Sequence, residues 1–282
     1  MRVRIVTDSA SDIPPDLARD KAIVVVPLTV RFGDDTYVSG VDLDAKAFWA
    51  KLQSTNEPPA TAAPSAGDFQ TAYEKLVAEG ATGIVSVHLS SKLSATYQSA
   101  VVAAKEITSI PVEVVDSLAV SASTGLLALH ATDQAAGGAS AADIAADVKS
   151  RSERVHLYGA IDTLEYLRRG GRIGGAQALL GTMLKVKPVI SLDDGVVEPV
   201  GRVRTRAKAL EHMVSLVREH KDRIERLVVL SGDAPDTDRL VELLADVAPV
   251  DPADVWTLGA IVGAHAGPGV IGVAYLTRPD GA

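Results

Sequence analysis

The chain has 282 residues, of which 47% are hydrophobic and 23% charged, a composition typical of globular proteins and a length sufficient for one large domain or two of ordinary size. Aromatic residues make up only 4%, so the core must be mainly aliphatic, which favours stacked α/β layers. The net charge of -8 has the wrong sign for non-specific binding to nucleic acid. Since there is no cysteine, disulfides, thiolate nucleophiles and zinc–thiolate sites are excluded.

The apolar runs are too short for targeting or membrane insertion. The first run, residues 3–6, is shorter than the core of a signal peptide. The longest, residues 22–30, is interrupted by Pro27 and falls short of the roughly 20 residues of a membrane-spanning helix. We therefore expect a soluble cytoplasmic protein without a transmembrane segment.

In the first half of the chain, short β-branched runs lead into hydroxyl-rich loops and then into segments with helical spacing. Strands that alternate with helices predict a parallel sheet. The first predicted strand, residues 3–6, is followed by a helix that starts near Pro14 and Pro15. The second strand, 84–88, is followed by a helix at 97–107, and the third, 112–115, by a helix at 125–136. A further helix is predicted at 141–152, and we place a domain boundary after it, which gives domains of residues 1–152 and 153–282.

The pattern changes in the second half. Two β-rich runs, 186–192 and 196–203, are joined by Asp193-Asp194-Gly195, and Asp-Gly is a strong hairpin signal. The second domain is therefore predicted to be α/β with a mixed sheet. Its remaining predicted elements are a helix at 205–223, a strand at 227–230, a helix at 237–247 and a strand at 271–276.

Hydroxyl side chains are concentrated in the loops that follow the predicted strands of the parallel sheet. Ligands of open α/β sheets bind beyond the carboxyl ends of the strands, and helix amino termini favour anions. The loops therefore suit a carboxylate or phosphate group, although each hydroxyl can equally serve as a helix cap. The side chains concerned are Ser9, Ser90, Ser91, Ser94, Thr96, Ser117 and Ser121.

No motif of a catalytic or metal centre is present. The chain lacks Gly-x-Ser-x-Gly and His-Glu-x-x-His, and its six histidines are scattered. Asp8 and Asp12 lie four residues apart across a helix start, where capping is the favoured interpretation. We predict no catalytic residue and no metal ligand.

His265 stands apart from the other histidines because small residues surround it in 263–272. Such a segment lets a ligand approach closely, and the imidazole can donate a hydrogen bond to an anion. The Gly-x-Gly-x-x-Gly spacing at 267–272 is not a dinucleotide fingerprint, because a β-like run follows it and only ten residues remain.

The charge balance reverses between Glu165 and Lys208, where nine basic residues accompany four acidic ones. Two interpretations stay open, a solvated face or a docking site for an acidic partner or for substrate phosphates.

The landmarks together resemble the DegV family, which includes the fatty-acid-binding subunit of bacterial fatty acid kinase. The resemblance spans almost the whole chain, with departures at Ala95, where the family usually has glycine, and at Ser39, where it usually has an acidic residue. The matching segments are Thr7-Asp8-Ser9, Pro27-Leu28, 61–65 with Asp68-Phe69, 89–100, Val115-Asp116-Ser117, 164–173, Lys187-Pro188 and the segment around His265.

This resemblance implies a two-domain DegV-like fold with the ligand between the domains. It implies that Thr61, Ser94 and His265 bind the carboxylate of a long-chain fatty acid whose acyl chain lies in an apolar tunnel. From the loop argument we add Ser91 and Ser117 to the predicted ligand contacts. No cofactor is expected apart from the bound fatty acid.

The resemblance also implies a partner, the ATP-binding subunit of a fatty acid kinase, which phosphorylates the bound carboxylate to an acyl phosphate for phospholipid metabolism. The partner-docking residues are then Arg172, Arg202 and Arg204. The protein itself is expected to be a lipid-binding subunit and not an enzyme. The alternatives are a small-molecule hydrolase or phosphotransfer enzyme that uses His265 as acid or base, and a regulator that senses lipid without docking a kinase.

Overall fold

The computed structural model describes residues 3–55, 57–180 and 186–279, which form an α/β protein with three sheets. The strands are β1 (Val3–Asp8), β2 (Val24–Val26), β3 (Thr29–Phe32), β4 (Asp35–Val38), β5 (Pro59–Ala62), β6 (Gly83–His88), β7 (Val112–Asp116), β8 (Val155–Ala160), β9 (Lys187–Asp193), β10 (Val196–Val203), β11 (Ile224–Ser231), β12 (Val255–Thr257) and β13 (Ile271–Thr277). The helices are α1 (Pro15–Asp20), α2 (Ala45–Ser54), α3 (Ala66–Ala78), α4 (Thr96–Glu106), α5 (Ala122–Ala136), α6 (Ala141–Ser152), α7 (Glu165–Arg169), α8 (Arg206–Arg218), α9 (Thr237–Leu244) and α10 (Ala260–Ala266).

The first sheet is parallel throughout, with strand order β2-β1-β6-β7, and this confirms the prediction from the strand and helix alternation. Every residue of the central strand β6 is buried, as expected for a parallel strand covered on both faces. Helices α3 and α4 pack on one face, with Phe69 and Tyr73 in that layer, and α5 and α6 cover the other.

Local capping explains where the helices of this half begin. Pro15 occupies the first turn of α1, where its missing N–H is not needed. Ser65 and Asp68 form a capping box at the start of α3, each side chain accepting a hydrogen bond from the other residue's backbone N–H. The predicted start of α6 is confirmed, with Ser140 accepting from the N–H of Asp143.

A small antiparallel sheet, in the order β4-β3-β5, lies between β2 and α3 in the sequence and was not predicted. Each of its strands has only four residues, too few for period-two alternation to be recognised. The sheet matters for the site because β5 carries Thr61.

The third sheet has the order β10-β9-β8-β13-β11-β12 and is mixed, as predicted, with β11 and β12 parallel and the other neighbours antiparallel. The predicted hairpin joins β9 to β10. Its central residues Asp194 and Gly195 have φ values of 46° and 76°, the left-handed pair that a type I′ turn requires. Strands β8 and β12 were not predicted.

Side chains alternate between the two faces of this sheet, as the period of two demands. One face, with Val189, Val229 and Val273, is buried under α8 and α9. The other face, with Leu157 and Leu230, is turned towards the first half of the chain.

Several hydrogen bonds join the two halves. Trp49 Nε1 donates to the carbonyl of Leu258 over 2.9 Å, and Ser90 Oγ donates to the carbonyl of Gly195 over 2.8 Å. The strands of the first two sheets come from residues 3–116 and those of the third from 155–277. The domain division between residues 152 and 153 agrees with this arrangement and stays a prediction. Among the described residues no helix is long and apolar enough to cross a membrane.

Asp12 is a buried carboxyl group at the junction of the halves. It accepts a hydrogen bond from the N–H of Gly259 at 2.9 Å and another from Ser121 Oγ at 2.5 Å. Burial, partly offset by these two bonds, raises the pKa of Asp12 to about 7. Its φ of 52° is left-handed, a conformation that asparagine also tolerates.

We predict that Asp12→Asn changes the pH dependence of stability. Because the folded pKa is raised, the contribution of Asp12 is most favourable below its unfolded pKa and is lost as pH rises through about 7. Asparagine can accept from the N–H of Gly259 through its Oδ1 and donate an amide N–H to Ser121 Oγ, so both partners keep a hydrogen bond without a charge. From pH 5 to pH 8 the variant therefore gains roughly 2–3 kcal/mol on the wild type, at about 1.4 kcal/mol for each pH unit up to the folded pKa of about 7.

Urea unfolding of both proteins at the two pH values measures this difference. Asp16→Asn, at an exposed carboxyl group of α1, serves as the control and is expected to show no such gain. A stability difference between Asp12→Asn and wild type that does not vary with pH would contradict the assignment.

Candidate functional site

A cavity of about 890 Å³, including the space at its mouth, lies between the third sheet and the loops of the first. Ala10 and Leu89 contribute from the loops after β1 and β6, Ile190 from β9, and Ile261 from α10. The cavity thus opens beyond the carboxyl ends of the parallel strands, where the sequence placed the ligand.

The walls are mainly apolar, because the sheet presents one alternating face and the loops contribute leucine and valine. An apolar ligand that moves from water into this lining gains about 25 cal/mol of free energy for each Å² of apolar surface that is buried. The apolar side chains include Leu28, Leu93, Val120, Leu157, Leu192, Val197, Leu230, Leu258, Val262 and Val270.

The polar lining is confined to a few side chains, and most of them form one cluster. Thr61 Oγ1 and His265 Nε2 are 2.9 Å apart. Ser94 and Arg172 line the same cavity, and Arg172 Nε donates to the carbonyl of Leu93, the neighbour of Ser94, over 2.9 Å. We call Thr61, Ser94, Arg172 and His265 the polar cluster.

His265 lies in the last turn of α10. Burial, and secondarily the charge of Arg172, lowers the pKa of His265 to about 4, so the imidazole is neutral at pH 7. A neutral imidazole has one donor and one acceptor nitrogen. Nε2 faces Thr61, while Nδ1 is buried without a partner among the described residues.

Arg172 brings a positive charge to the cavity. Besides the bond to Leu93, its guanidinium donates to the carbonyl of Gly170 over 2.6 Å. These two bonds use two of its five N–H groups, and the other three have no hydrogen-bond acceptor among the described residues. The resemblance assigned Arg172 to docking, whereas its position also allows it to contact the ligand.

The sequence left open whether each loop hydroxyl contacts a ligand or caps a helix, and the position of Ser94 allows both. Its Oγ accepts from the N–H of Thr96 at 3.3 Å at the start of α4 and lies 2.8 Å from Thr96 Oγ1, yet it also lines the cavity. Ala95 has φ of −74°, a conformation open to any residue, so the departure from the family's glycine introduces no strain.

Ser91 and Ser117 do not line the cavity. Ser91 is exposed, and Ser117 is fully buried, with its Oγ 3.1 Å from Thr124 Oγ1 and accepting from the N–H of Ala119. We therefore leave both out of the proposed carboxylate site.

The sequence reasoning also missed part of the site. Ser191 on β9 lines the cavity, as do Gly159 and Gly272 of the third sheet, and none of these positions carried a recognisable signal. Ser121 before α5 also lines the cavity, and it is one of the loop hydroxyls named from the sequence. The described part of the chain holds no cluster of three or more potential metal ligands.

A model of the DegV family matches residues 2–278. The chain belongs to the DegV family. This confirms the resemblance that the sequence motifs carried.

Relatives in the DegV family match the chain from end to end. A DegV domain-containing protein of Streptomyces coelicolor is 37% identical over 98% of this chain and 99% of its own length. A DegV family protein from Thermus thermophilus, described as fatty acid binding, is 37% identical with a TM-score of 0.90, covering 99% of this chain and 100% of its own. DegV of Bacillus subtilis, described as a fatty acid binding protein, is 31% identical with a TM-score of 0.87 and the same coverage.

We predict that Gly170→Ala disrupts the polar cluster. A Cβ at residue 170 would lie 2.1 Å from His265 Nδ1, so the imidazole must change its position relative to Thr61, at a cost of about 1–3 kcal/mol of stability. Gly170 has an ordinary helical φ of −73°, so backbone strain does not contribute.

The matched control is Gly67→Ala in α3, where the nearest atom to the new Cβ is 3.6 Å away. Thermal unfolding and the imidazole NMR resonances of His265 measure the two effects. An unshifted His265 spectrum and an unchanged melting temperature in Gly170→Ala would contradict the geometry of the cluster.

Proposed function

We propose that this protein binds a long-chain fatty acid in the cavity and presents its carboxylate to a partner kinase, which converts it to an acyl phosphate. The observation that carries the proposal is an apolar cavity whose polar cluster contains a cation, Arg172, and hydroxyl donors from Thr61 and Ser94. Such a cavity matches a molecule with a long apolar body and one anionic end. The Thermus and Bacillus relatives described as fatty acid binding support the same ligand class.

The polar cluster suits a carboxylate for a specific electrostatic reason. With Nε2 of the neutral His265 protonated, its N–H donates to Thr61 Oγ1, and the threonine O–H is then free to donate to the ligand. Ser94 supplies a second hydroxyl, and the charge of Arg172 offsets the cost of removing the carboxylate from water. His265 thus orients Thr61 and does not transfer a proton.

Presentation to a kinase requires little chemistry from this chain. A carboxylate oxygen of the fatty acid attacks the γ-phosphorus of ATP on the partner, the bond to the β-phosphate oxygen breaks, and acyl phosphate and ADP result. The nucleophile is already ionised, so no general base is needed. The role of this chain is to hold the carboxylate at a position that the partner's ATP can reach.

The docking surface of the proposal comprises Arg202 and Arg204. Both are exposed and make no ion pair with any described residue. By contrast, Arg168 and Arg169 pair with Glu165, and Arg206 pairs with Asp236. Arg202 lies near the end of the edge strand β10 and Arg204 just after it, and unpaired cations at such an edge suit an acidic partner surface. Lys185, another basic residue of this segment, lies outside the described residues.

The alternative enzyme, with His265 as acid or base, gains no support from the geometry. A general base of the triad type needs an orienting carboxylate on its second nitrogen, and no described Asp or Glu hydrogen-bonds to His265 Nδ1. The lipid-sensing regulator shares the cavity and differs only in having no kinase docking.

We predict that wild-type protein, denatured and extracted with organic solvent, releases a long-chain fatty acid detectable by mass spectrometry. Thr61→Ala and Ser94→Ala each remove a hydroxyl donor to the carboxylate, so affinity falls by about tenfold to a hundredfold, as expected for a hydrogen bond to a charged group.

Ser91→Ala is the matched control, because Ser91 is exposed on the same loop and does not line the cavity, and it should bind like wild type. Wild-type protein that carries no fatty acid and takes up none when it is added would overturn the proposal.

We predict that Arg202→Glu with Arg204→Glu lowers acyl phosphate formation by a partner kinase at least about tenfold while fatty acid affinity is retained, because charge reversal acts on encounter with the partner. Arg218→Glu, at an exposed position of α8, is the control. Undiminished phosphorylation in the double variant would rule out this docking surface and favour the regulator.

A further inference from the structure

Two glycines face each other across neighbouring strands in the wall of the cavity. Gly159 on β8 is paired with Gly272 on β13. Gly159 is paired on its other side with Ile190 of β9, and Gly272 with Leu230 of β11. All four residues line the cavity. A row across four strands therefore carries large side chains at both ends and none in the middle.

The missing side chains would point into the cavity. Residues at intervals of two share a face of a strand, and Leu157, two residues before Gly159, also lines the cavity. The next row along the sheet, Leu157 with Ala274 and Val228, carries a side chain at each position. The glycine pair is thus a local recess in a wall that is otherwise covered by side chains.

Gly159 is not required by the protein's own packing. A Cβ at this position would meet nothing closer than Ile190 Cγ1 at 3.7 Å, and its φ is not left-handed. Glycine weakens a strand interior, and it often marks a place where a ligand approaches the backbone. At Gly272, by contrast, a Cβ would lie 2.8 Å from the carbonyl oxygen of Tyr158, so the strand pairing itself excludes a side chain there.

We infer that this recess admits a bend or branch in the acyl chain, and that Gly159 is the residue that sets its depth. The inference rests on the proposed function and adds to it the shape of the acyl chain. A straight chain needs a uniform cross-section, whereas a cis double bond or a methyl branch needs extra width at one level. The recess provides that width on the sheet.

The test compares stearic and oleic acids, which have the same length and differ by one cis double bond. Lipid-free wild type, Gly159→Ala and Gly159→Val are equilibrated with each radiolabelled acid by dialysis. We expect the ratio of the oleic to the stearic dissociation constant to rise several-fold in Gly159→Ala and at least about tenfold in Gly159→Val, since pocket methyl groups discriminate by roughly that much.

Val189→Ala is the control, because Val189 is in the strand next to β8 but is buried on the opposite face of the sheet; its ratio should match that of wild type. A ratio in Gly159→Val within about twofold of wild type, or an equal loss of both acids, would overturn the inference. Failure of wild type to bind either acid would be a different result, which overturns the proposed function as well.

Discussion

The buried carboxyl group of Asp8 holds together the end of the sheet on which the site is built. It accepts hydrogen bonds from the N–H groups of Ala10 and Leu89 and lies 2.9 Å from His88 Nδ1. A carboxyl group removed from water must have such partners. Because two of them begin the loops after β1 and β6, one side chain fixes both loops, and those loops bring Ala10, Leu89 and Ser94 to the cavity.

This anchor is itself backed by a chain of buried hydroxyl groups. His88 Nε2 is 2.7 Å from Ser86 Oγ, which accepts from Tyr73 OH over 2.8 Å, and all of these side chains are fully buried. The contacts run from Asp8 to His88 to Ser86, which is the order of a catalytic triad. All three side chains are buried from solvent, so no substrate can reach them. Its consequence is rigidity, since a satisfied buried polar network specifies one arrangement of the core.

The parts of the fold that the sequence predicted are those with strong local signals. The units around β6 and β7 have long periodic helices, the unit around β1 has the Pro14-Pro15 helix start, and Asp194-Gly195 specifies its turn through two positive φ values. The three-stranded sheet was missed because its strands are short, and β8 because no turn signal separates it from α6. Thr61 was found only through the family resemblance, since residues 59–62 show no pattern of their own.

The same distinction holds at the site. Hydroxyl-rich loops indicated an anionic ligand, but the sequence had no means of separating Ser94, which lines the cavity, from Ser91, which faces solvent three residues earlier. That difference depends on how the loop turns after Leu89 is bound to Asp8. The contact of Thr61 with His265 spans 204 residues, a separation over which periodicity carries no information.

The central claim is that an acyl chain lies against the third sheet with its carboxylate at the polar cluster. A crystal structure of the protein with a fatty acid that carries bromine on its terminal carbon tests this most directly, because anomalous scattering locates the bromine independently of the protein. The account predicts carboxylate density within hydrogen-bonding distance of Thr61 and Ser94 and the bromine peak inside the apolar part of the cavity. A bromine peak at the polar cluster, or a fatty acid bound elsewhere, would contradict it.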